Sequence, residues 1–339
     1  MKTFEHGGQI EKFALELGCE VNEILDLSSN INFIKPKISI DFNTLDISSY
    51  PVYDKLYEKI ASNYGVQSDE IELFNGGSSA IFTLFRYLNL KNCTIYSPAY
   101  LEYKKAALNF GYELDLINRF EDINTKVKPN SLVIFVNPST PDGRYYEIET
   151  LIKSWIENSC TILIDESFLD FCNKPSAIKY LKTYDKLYIL KSMTKFYSSA
   201  GIRVGAIVST KQNIEKLKEF EPMWKLSQFD SIYLQEALKD EEFKVISKEI
   251  NIKNRLELEE ILRNSSLVEE IFESSANYLL IKLKNISASK FQELLKPYKI
   301  MIRDCSNFDF LDDRFVRIAV KSSSANARLK QALKNYANQ

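Results

Sequence analysis

Through the middle of the chain, short apolar runs alternate with stretches whose apolar residues recur at helical spacing. Segments 94–96, 131–136, 161–164 and 187–190 are each bounded by turn or polar residues and read as buried strands. Between them, 78–88, 101–110 and 148–158 place apolar side chains on one helical face. Strand and helix in alternation predict an α/β domain, a mostly parallel sheet between helices. After about residue 230 the texture changes. A charged helical stretch over 228–263 leads into strand-like 277–283, 299–303 and 315–320, with helices at 289–295 and 326–336. This predicts a smaller α+β domain. The resulting division is an N-terminal arm over 1–40 that contributes to the small domain and the active site, a large domain over 41–235 and the small domain over 236–339.

In parallel sheets ligands bind beyond the carboxyl ends of the strands. The polar signatures collect there: Ser97-Pro98-Ala99-Tyr100, the segment 137–143, Asp165-Glu166-Ser167 and the segment 191–195 each follow a strand. Singly, Asp165 reads more often as a helix cap and Lys195 as a solvated charge; their common placement argues for a site.

Charge and composition narrow its chemistry. Lys and Arg number 44 against 46 Asp and Glu, so no overall field recruits nucleic acid or an anionic membrane. No apolar run approaches the roughly 20 residues of a membrane-spanning helix. The stretch MKTFEHGGQIEKFALE is charged and lacks a secretion signal's apolar core, so the expected compartment is the cytoplasm. Five cysteines are scattered without a C-x-x-C pair and are expected as reduced thiols. The single histidine, His6, cannot build a zinc site of several histidines, and no metal is expected. The proton carrier of an enzyme built this way is a lysine, tyrosine, carboxylate or cofactor. No G-x-G-x-x-G follows a strand, which leaves a nicotinamide dinucleotide module without support.

Ser192, Lys195, Gly201, Arg203 and Gly205 form S-x-T-K followed by G-x-R-x-G. This resembles the fold type I pyridoxal-phosphate enzymes, the aspartate aminotransferase superfamily. The resemblance implies a mostly parallel seven-stranded sheet in the large domain and pyridoxal 5'-phosphate as cofactor. It implies that Lys195 forms the covalent link to that cofactor and that Asp165 pairs with its ring nitrogen. Ser192 and Arg203 then hold the phosphate, helped by backbone amides of the glycine turn at Gly77 and Ser78. Tyr100 stacks on the ring. Tyr50, in SSYP, matches the tyrosine that reaches the phosphate of a neighbouring subunit, which implies a homodimer with shared active sites.

Two positions depart from the superfamily pattern. Thr140 stands where an asparagine contacts the cofactor's phenolic oxygen, and Phe168 where a tyrosine does. Thr140 keeps one hydroxyl to donate. The missing phenol at Phe168 is expected to shift the titration of the bound cofactor and to disfavour fast transamination. The segments 6–10, 25–32, 302–308 and 317–320 resemble the threonine-phosphate decarboxylase branch of cobalamin synthesis, next to histidinol-phosphate aminotransferase. By that resemblance Arg317 clamps the substrate carboxylate, Arg303 and His6 bind the substrate phosphate, and Asn32 joins them. The implied reaction is decarboxylation of O-phospho-L-threonine or O-phospho-L-serine, with Phe33 a candidate to bias the choice; the alternatives are a histidinol-phosphate-type aminotransferase and a cofactor-binding protein that acts through protein contacts.

Overall fold

The structure, a computed structural model, describes residues 7–337. Its strands run in chain order as β1 (Leu25–Asp26), β2 (Ile71–Asn75), β3 (Asn92–Ser97), β4 (Glu113–Asn118), β5 (Leu132–Val136), β6 (Thr161–Asp165), β7 (Leu187–Ser192) and β8 (Val204–Val208). Seven of them, β2 to β8, form one sheet in the order β2-β8-β7-β6-β5-β3-β4. Strands β5, β6, β7 and β8 are buried along their whole length, which is why they read as continuous apolar runs rather than as alternation. Helices cover both faces. Phe135, Trp155 and Ile164 belong to the core on one side, and Phe74, Leu84, Phe85 and Tyr103 to the core on the other.

The sheet is parallel from β4 to β7, and β8 runs antiparallel to both β7 and β2. The reversal decides where the site can be built. The start of β8 lies at the rim where β6 and β7 end, so the residues before Val204 reach the same edge as those after Asp165 and Ser192.

The smaller domain carries β9 (Val268–Ile271), β10 (Tyr278–Leu283), β11 (Ile300–Met301), β12 (Arg303–Asp304) and β13 (Phe315–Ala319). Four of these make an antiparallel sheet in the order β12-β13-β10-β9. β11 instead pairs in parallel with β1, so the N-terminal arm is part of this domain's architecture. Leu27 of the arm packs into the same core as Leu258, Phe291 and Val316.

Two segments differ from the sequence reading. The helical stretch over 228–263 is two helices, Gln228–Ala237 and Glu241–Arg263, because the Asp240 carboxylate accepts from the Phe243 amide and caps a new start. The expected boundary at 235 therefore falls inside the first helix. The expected strand over 299–303 is divided between β11 and β12, which serve different sheets. All five cysteines are free. Among the described residues no helix is long and apolar enough to cross a membrane.

Candidate active site

A cleft of about 210 Å³ opens at the rim where the ends of β6 and β7 meet the small domain. Gly77, Ser78, Tyr100, Thr140, Asp165, Ser192, Lys195, Arg203, Arg303 and Arg317 all line it. Among the described residues lining it, four cationic side chains face one carboxylate, Asp165. Such a surface selects anions.

One end is a cradle. β2 ends at Asn75 and the helix Gly76–Leu88 starts at once, with its free amides and positive dipole end at the rim. Gly76 has φ +79°, and a Cβ there would stand 2.4 Å from Arg203 Nη2, so only glycine lets the guanidinium close over the turn. A Cβ on Gly205 would meet the Gly77 amide nitrogen at 2.7 Å, which fixes the glycine of the downstream motif as a matter of close approach. Arg203 is held by its own amide, which donates to Asp230 Oδ1 at 3.0 Å, and by Nη1, which donates to the Ala200 carbonyl at 2.8 Å. Ser78 Oγ and Tyr100 Oη lie 3.1 Å apart, and Ser192 Oγ lies 2.9 Å from Thr194 Oγ1. Amides, hydroxyls and a fork of guanidinium donors suit a phosphate dianion.

Beyond the cradle, Asp165 ends β6 buried. Its Oδ1 accepts from the Ser167 amide at 2.9 Å and the Ser167 hydroxyl at 2.5 Å, and its Oδ2 accepts from the Tyr103 hydroxyl at 2.7 Å. Burial raises its pKa, and the donors from Ser167 and Tyr103 pull the other way. Lys195 sits in the short helix Met193–Phe196 after β7, open on one side to the cleft. Desolvation lowers the pKa of its amine to about 8, with Arg317 and Arg203 adding to the effect and Asp165 opposing it. An amine so placed can be a nucleophile and a proton carrier near neutral pH. A phosphate cradle, a buried carboxylate and an activated lysine fit pyridoxal 5'-phosphate.

The far wall comes from the small domain. Arg303 and Arg317 face each other directly across the antiparallel pair β12–β13. Arg317 is only 9% exposed, and its Nη2 donates to the Ser28 carbonyl at 3.2 Å. Its Nε has no hydrogen-bond partner, and it makes no ion pair among the described residues. Arg303 Nη2 donates to Asn307 Oδ1 at 2.8 Å. Gly7 closes the cleft here; a Cβ on it would stand 2.8 Å from the Ser28 carbonyl oxygen.

Other expectations fall elsewhere. Asn32 does not line the cleft: its Nδ2 donates to the Phe196 carbonyl at 2.8 Å and to Ser247 Oγ at 2.5 Å, and its Oδ1 accepts from Asn251 at 3.1 Å. It fastens the arm to the helix Glu241–Arg263, while Asn30, two residues earlier, lines the cleft with a buried Oδ1 that has no partner. Phe33 also stands outside the lining. Tyr50 does not line this chain's own cleft and is 72% exposed. His6 lies outside the described residues. Tyr103, which the sequence reading missed, follows Tyr100 by three residues and makes edge contact with it at 6.2 Å; that helical spacing beside an expected stacking tyrosine was the available signal.

Phe168 lines the cleft, and its ring meets the edge of Tyr278 at 5.0 Å. Tyr278 is buried at the start of β10, 138 residues from Thr140, yet its hydroxyl lies 3.0 Å from Thr140 Oγ1 and donates to the Ser139 carbonyl at 2.7 Å.

Residues 20–335 match the family described as Aminotransferase class I and II. A provisionally named threonine-phosphate decarboxylase of Caldanaerobacter subterraneus subsp. tengcongensis is 33% identical, over 98% of this chain and 94% of that protein. The crystal structure of the histidinol-phosphate aminotransferase from Clostridium acetobutylicum superposes with a TM-score of 0.83 at 31% identity, covering 93% of this chain and 99% of that one. That of L-threonine-O-3-phosphate decarboxylase from Porphyromonas gingivalis gives 0.81 at 22% identity, covering 93% and 100%, a likeness of fold. The chain belongs to the aminotransferase class I and II family of fold type I enzymes, and its cofactor is pyridoxal 5'-phosphate.

Proposed function

We propose that the protein decarboxylates an O-phospho-L-amino acid, O-phospho-L-threonine or O-phospho-L-serine, to carbon dioxide and the phosphorylated amino alcohol used in building the cobamide nucleotide loop. The observation that carries the reading is the paired arginine wall. Like charges opposite each other across two strands repel, and burying Arg317 with an unpartnered Nε is costly. A substrate that brings two anionic groups relieves both penalties. The carboxylate pairs with Arg317 and the phosphate with Arg303, each through the planar fork of donors that such oxyanions match.

Pyridoxal phosphate, when bound, supplies a conjugated ring that accepts the electron pair left when a bond to the substrate's α-carbon breaks. Everything else falls to the chain. Asp165, oriented by Ser167 and Tyr103, holds a negative charge toward the ring nitrogen. Arg203, Ser192 and the Gly77–Ser78 turn hold the cofactor phosphate. Arg317 would orient the substrate carboxylate toward the bound cofactor, so that this group is the one placed to leave. Lys195 Nζ then delivers the proton that takes the place of the lost carboxylate on the α-carbon. Its pKa of about 8 leaves the ammonium in the majority at neutral pH while keeping the neutral amine accessible.

We also infer a homodimer. Tyr50 stacks on Trp224 at 4.1 Å, and both are exposed, as are Ile47, Val52 and Met223. Exposed aromatic and aliphatic groups near one another mark a surface that a partner covers, and a second copy would receive Tyr50 at its phosphate cradle.

The test is incubation with O-phospho-L-threonine and O-phospho-L-serine in parallel, measuring carbon dioxide and the phosphorylated amino alcohol. A second reading, a histidinol-phosphate-type aminotransferase, is favoured by the 31% identity to the Clostridium acetobutylicum enzyme. Glutamate formation from 2-oxoglutarate and an amino donor without carbon dioxide release would establish it in place of the first.

A further inference from the structure

The donor count around Thr140 is closed. The Tyr278 hydroxyl has one proton, and the Ser139 carbonyl 2.7 Å away can only accept, so that proton is spent there. The contact between Tyr278 Oη and Thr140 Oγ1, at 3.0 Å, then requires the threonine's proton. What Thr140 turns to the cleft is lone pairs. Phe168, the other residue on this wall, has no hydroxyl and packs against Tyr278.

We propose that Tyr278 is a positioning residue that sets Thr140 as a hydrogen-bond acceptor toward the phenolic oxygen of the bound cofactor. The inference rests on the family assignment and on the expectation that Thr140 faces that oxygen; it is independent of which reaction follows. An acceptor facing the oxygen disfavours its ionised form and favours keeping a proton at the oxygen or at the neighbouring nitrogen of the lysine link. The bound cofactor therefore stays protonated to higher pH than with a donor in that place.

The charges facing these groups act alongside this effect. Arg317 lies 5.2 Å from the Tyr278 ring centroid, and Asp142 and Asp165 bear on the Tyr278 hydroxyl. Arg317, Arg203 and Asp165 bear on Lys195. None is altered by removing a phenol oxygen. The fold tolerates that removal: the Ser139 carbonyl also accepts from the Gly143 amide at 2.8 Å, so it keeps a partner in Tyr278→Phe.

The experiment titrates the visible absorbance of the holoenzyme without substrate. In Tyr278→Phe the threonine proton is freed to donate to the ring oxygen, and the midpoint falls by about one pH unit. Thr140→Val, which removes the acceptor without putting a donor in its place, lowers the midpoint by less, at most about 0.3 unit, and Tyr278→Phe added to Thr140→Val produces no further fall. Thr140→Ser, which keeps the hydroxyl, titrates as the wild type does. A Tyr278→Phe midpoint that is unchanged or raised overturns the proposal, as does a fall that persists in the Thr140→Val background. A rise of a unit or more in Thr140→Val overturns it without reference to Tyr278, since Thr140 would then have been a donor. Borohydride reduction that fixes the cofactor to Lys195 in each variant reports cofactor placement separately, and carbon dioxide assays report the proposed reaction separately, so the failure of either is told apart from failure of this one.

Discussion

Arg317→Met separates a substrate clamp from a structural arginine. Methionine keeps most of the volume and removes the charge. On the structural side, the change deletes one hydrogen bond to the Ser28 carbonyl, long at 3.2 Å, and a guanidinium lying 5.2 Å from the Tyr278 ring centroid. These are worth about 1.5 kcal/mol at the lower end for a charged hydrogen bond and about 0.5–2 kcal/mol for the ring contact. Against them stands the release of a buried, unpaired cation, whose desolvation costs several kcal/mol and already lowers the guanidinium pKa. The two sides nearly cancel, and the expected stability change in urea unfolding is within about 1 kcal/mol, with stabilisation the favoured sign. On the functional side, two charge-assisted bonds to the carboxylate are lost, about 3–6 kcal/mol together, so kcat/KM falls roughly 10²–10⁴-fold. Urea melts and steady-state decarboxylation on the same preparation read both. A loss of 3 kcal/mol or more of stability, with kcat/KM within tenfold of the wild type, would refute the reasoning and make Arg317 a strut between β13 and the arm.

The remaining predictions concern groups around that wall. Only the neutral amine of Lys195 attacks an aldehyde, so the rate at which cofactor-free protein takes up pyridoxal phosphate should climb with pH and reach half its plateau near about 8; a rate still climbing steeply at pH 10 would contradict the lowered pKa. Because that folded-state pKa lies below the ordinary 10.5, the charged amine disfavours the fold at low pH, and the penalty fades as pH rises from about 8 toward 10.5. Lys195→Met should accordingly be more stable than the wild type at pH 7 in the cofactor-free state and lose that advantage over the same window. Behind the site, Lys191 Nζ and Glu166 Oε2 form a buried pair at 2.5 Å. Glu166→Gln leaves the ammonium unpaired and should cost about 3–5 kcal/mol in urea unfolding, with Glu166→Gln/Lys191→Met recovering much of it; equal losses in both would argue against the pair as the source. At the exposed Tyr50–Trp224 stack, Tyr50→Asp should shift sedimentation toward the monomer and weaken cofactor retention together, and an unchanged dimer would remove this surface from the interface.

The sequence made parts of this site visible and concealed others, for physical reasons. Asp165 and Lys195 were legible because Asp165 ends one buried apolar run and Lys195 follows another by three residues, and the rim of a parallel sheet is where such residues converge. Arg203 was legible through Gly201 and Gly205, and the structure explains the second of these by its close approach to the Gly76–Gly77 turn. Tyr278 was not, since it comes from another domain and acts on Thr140 through a contact no local pattern announces. Asn30 and Asn32 are the same residue type two positions apart in SSNIN, and their roles are divided by tertiary bonds alone: Asn32 is saturated by Phe196, Ser247 and Asn251, and Asn30 is left facing the cleft. The break between the helices at 237 and 241 was hidden in a continuous run of good helix formers, where one capping aspartate decided the matter.

Decarboxylation itself is tested most directly with O-phospho-L-threonine carrying ¹³C in its carboxylate, in deuterated water, with O-phospho-L-serine labelled in the same way as a second arm. The account predicts that the label leaves as carbon dioxide and that the phosphorylated amino alcohol carries one solvent deuterium on the former α-carbon, delivered from Lys195. Label retained in a 2-oxo acid, with the amino group passed on to 2-oxoglutarate and no labelled carbon dioxide from either substrate, would contradict it.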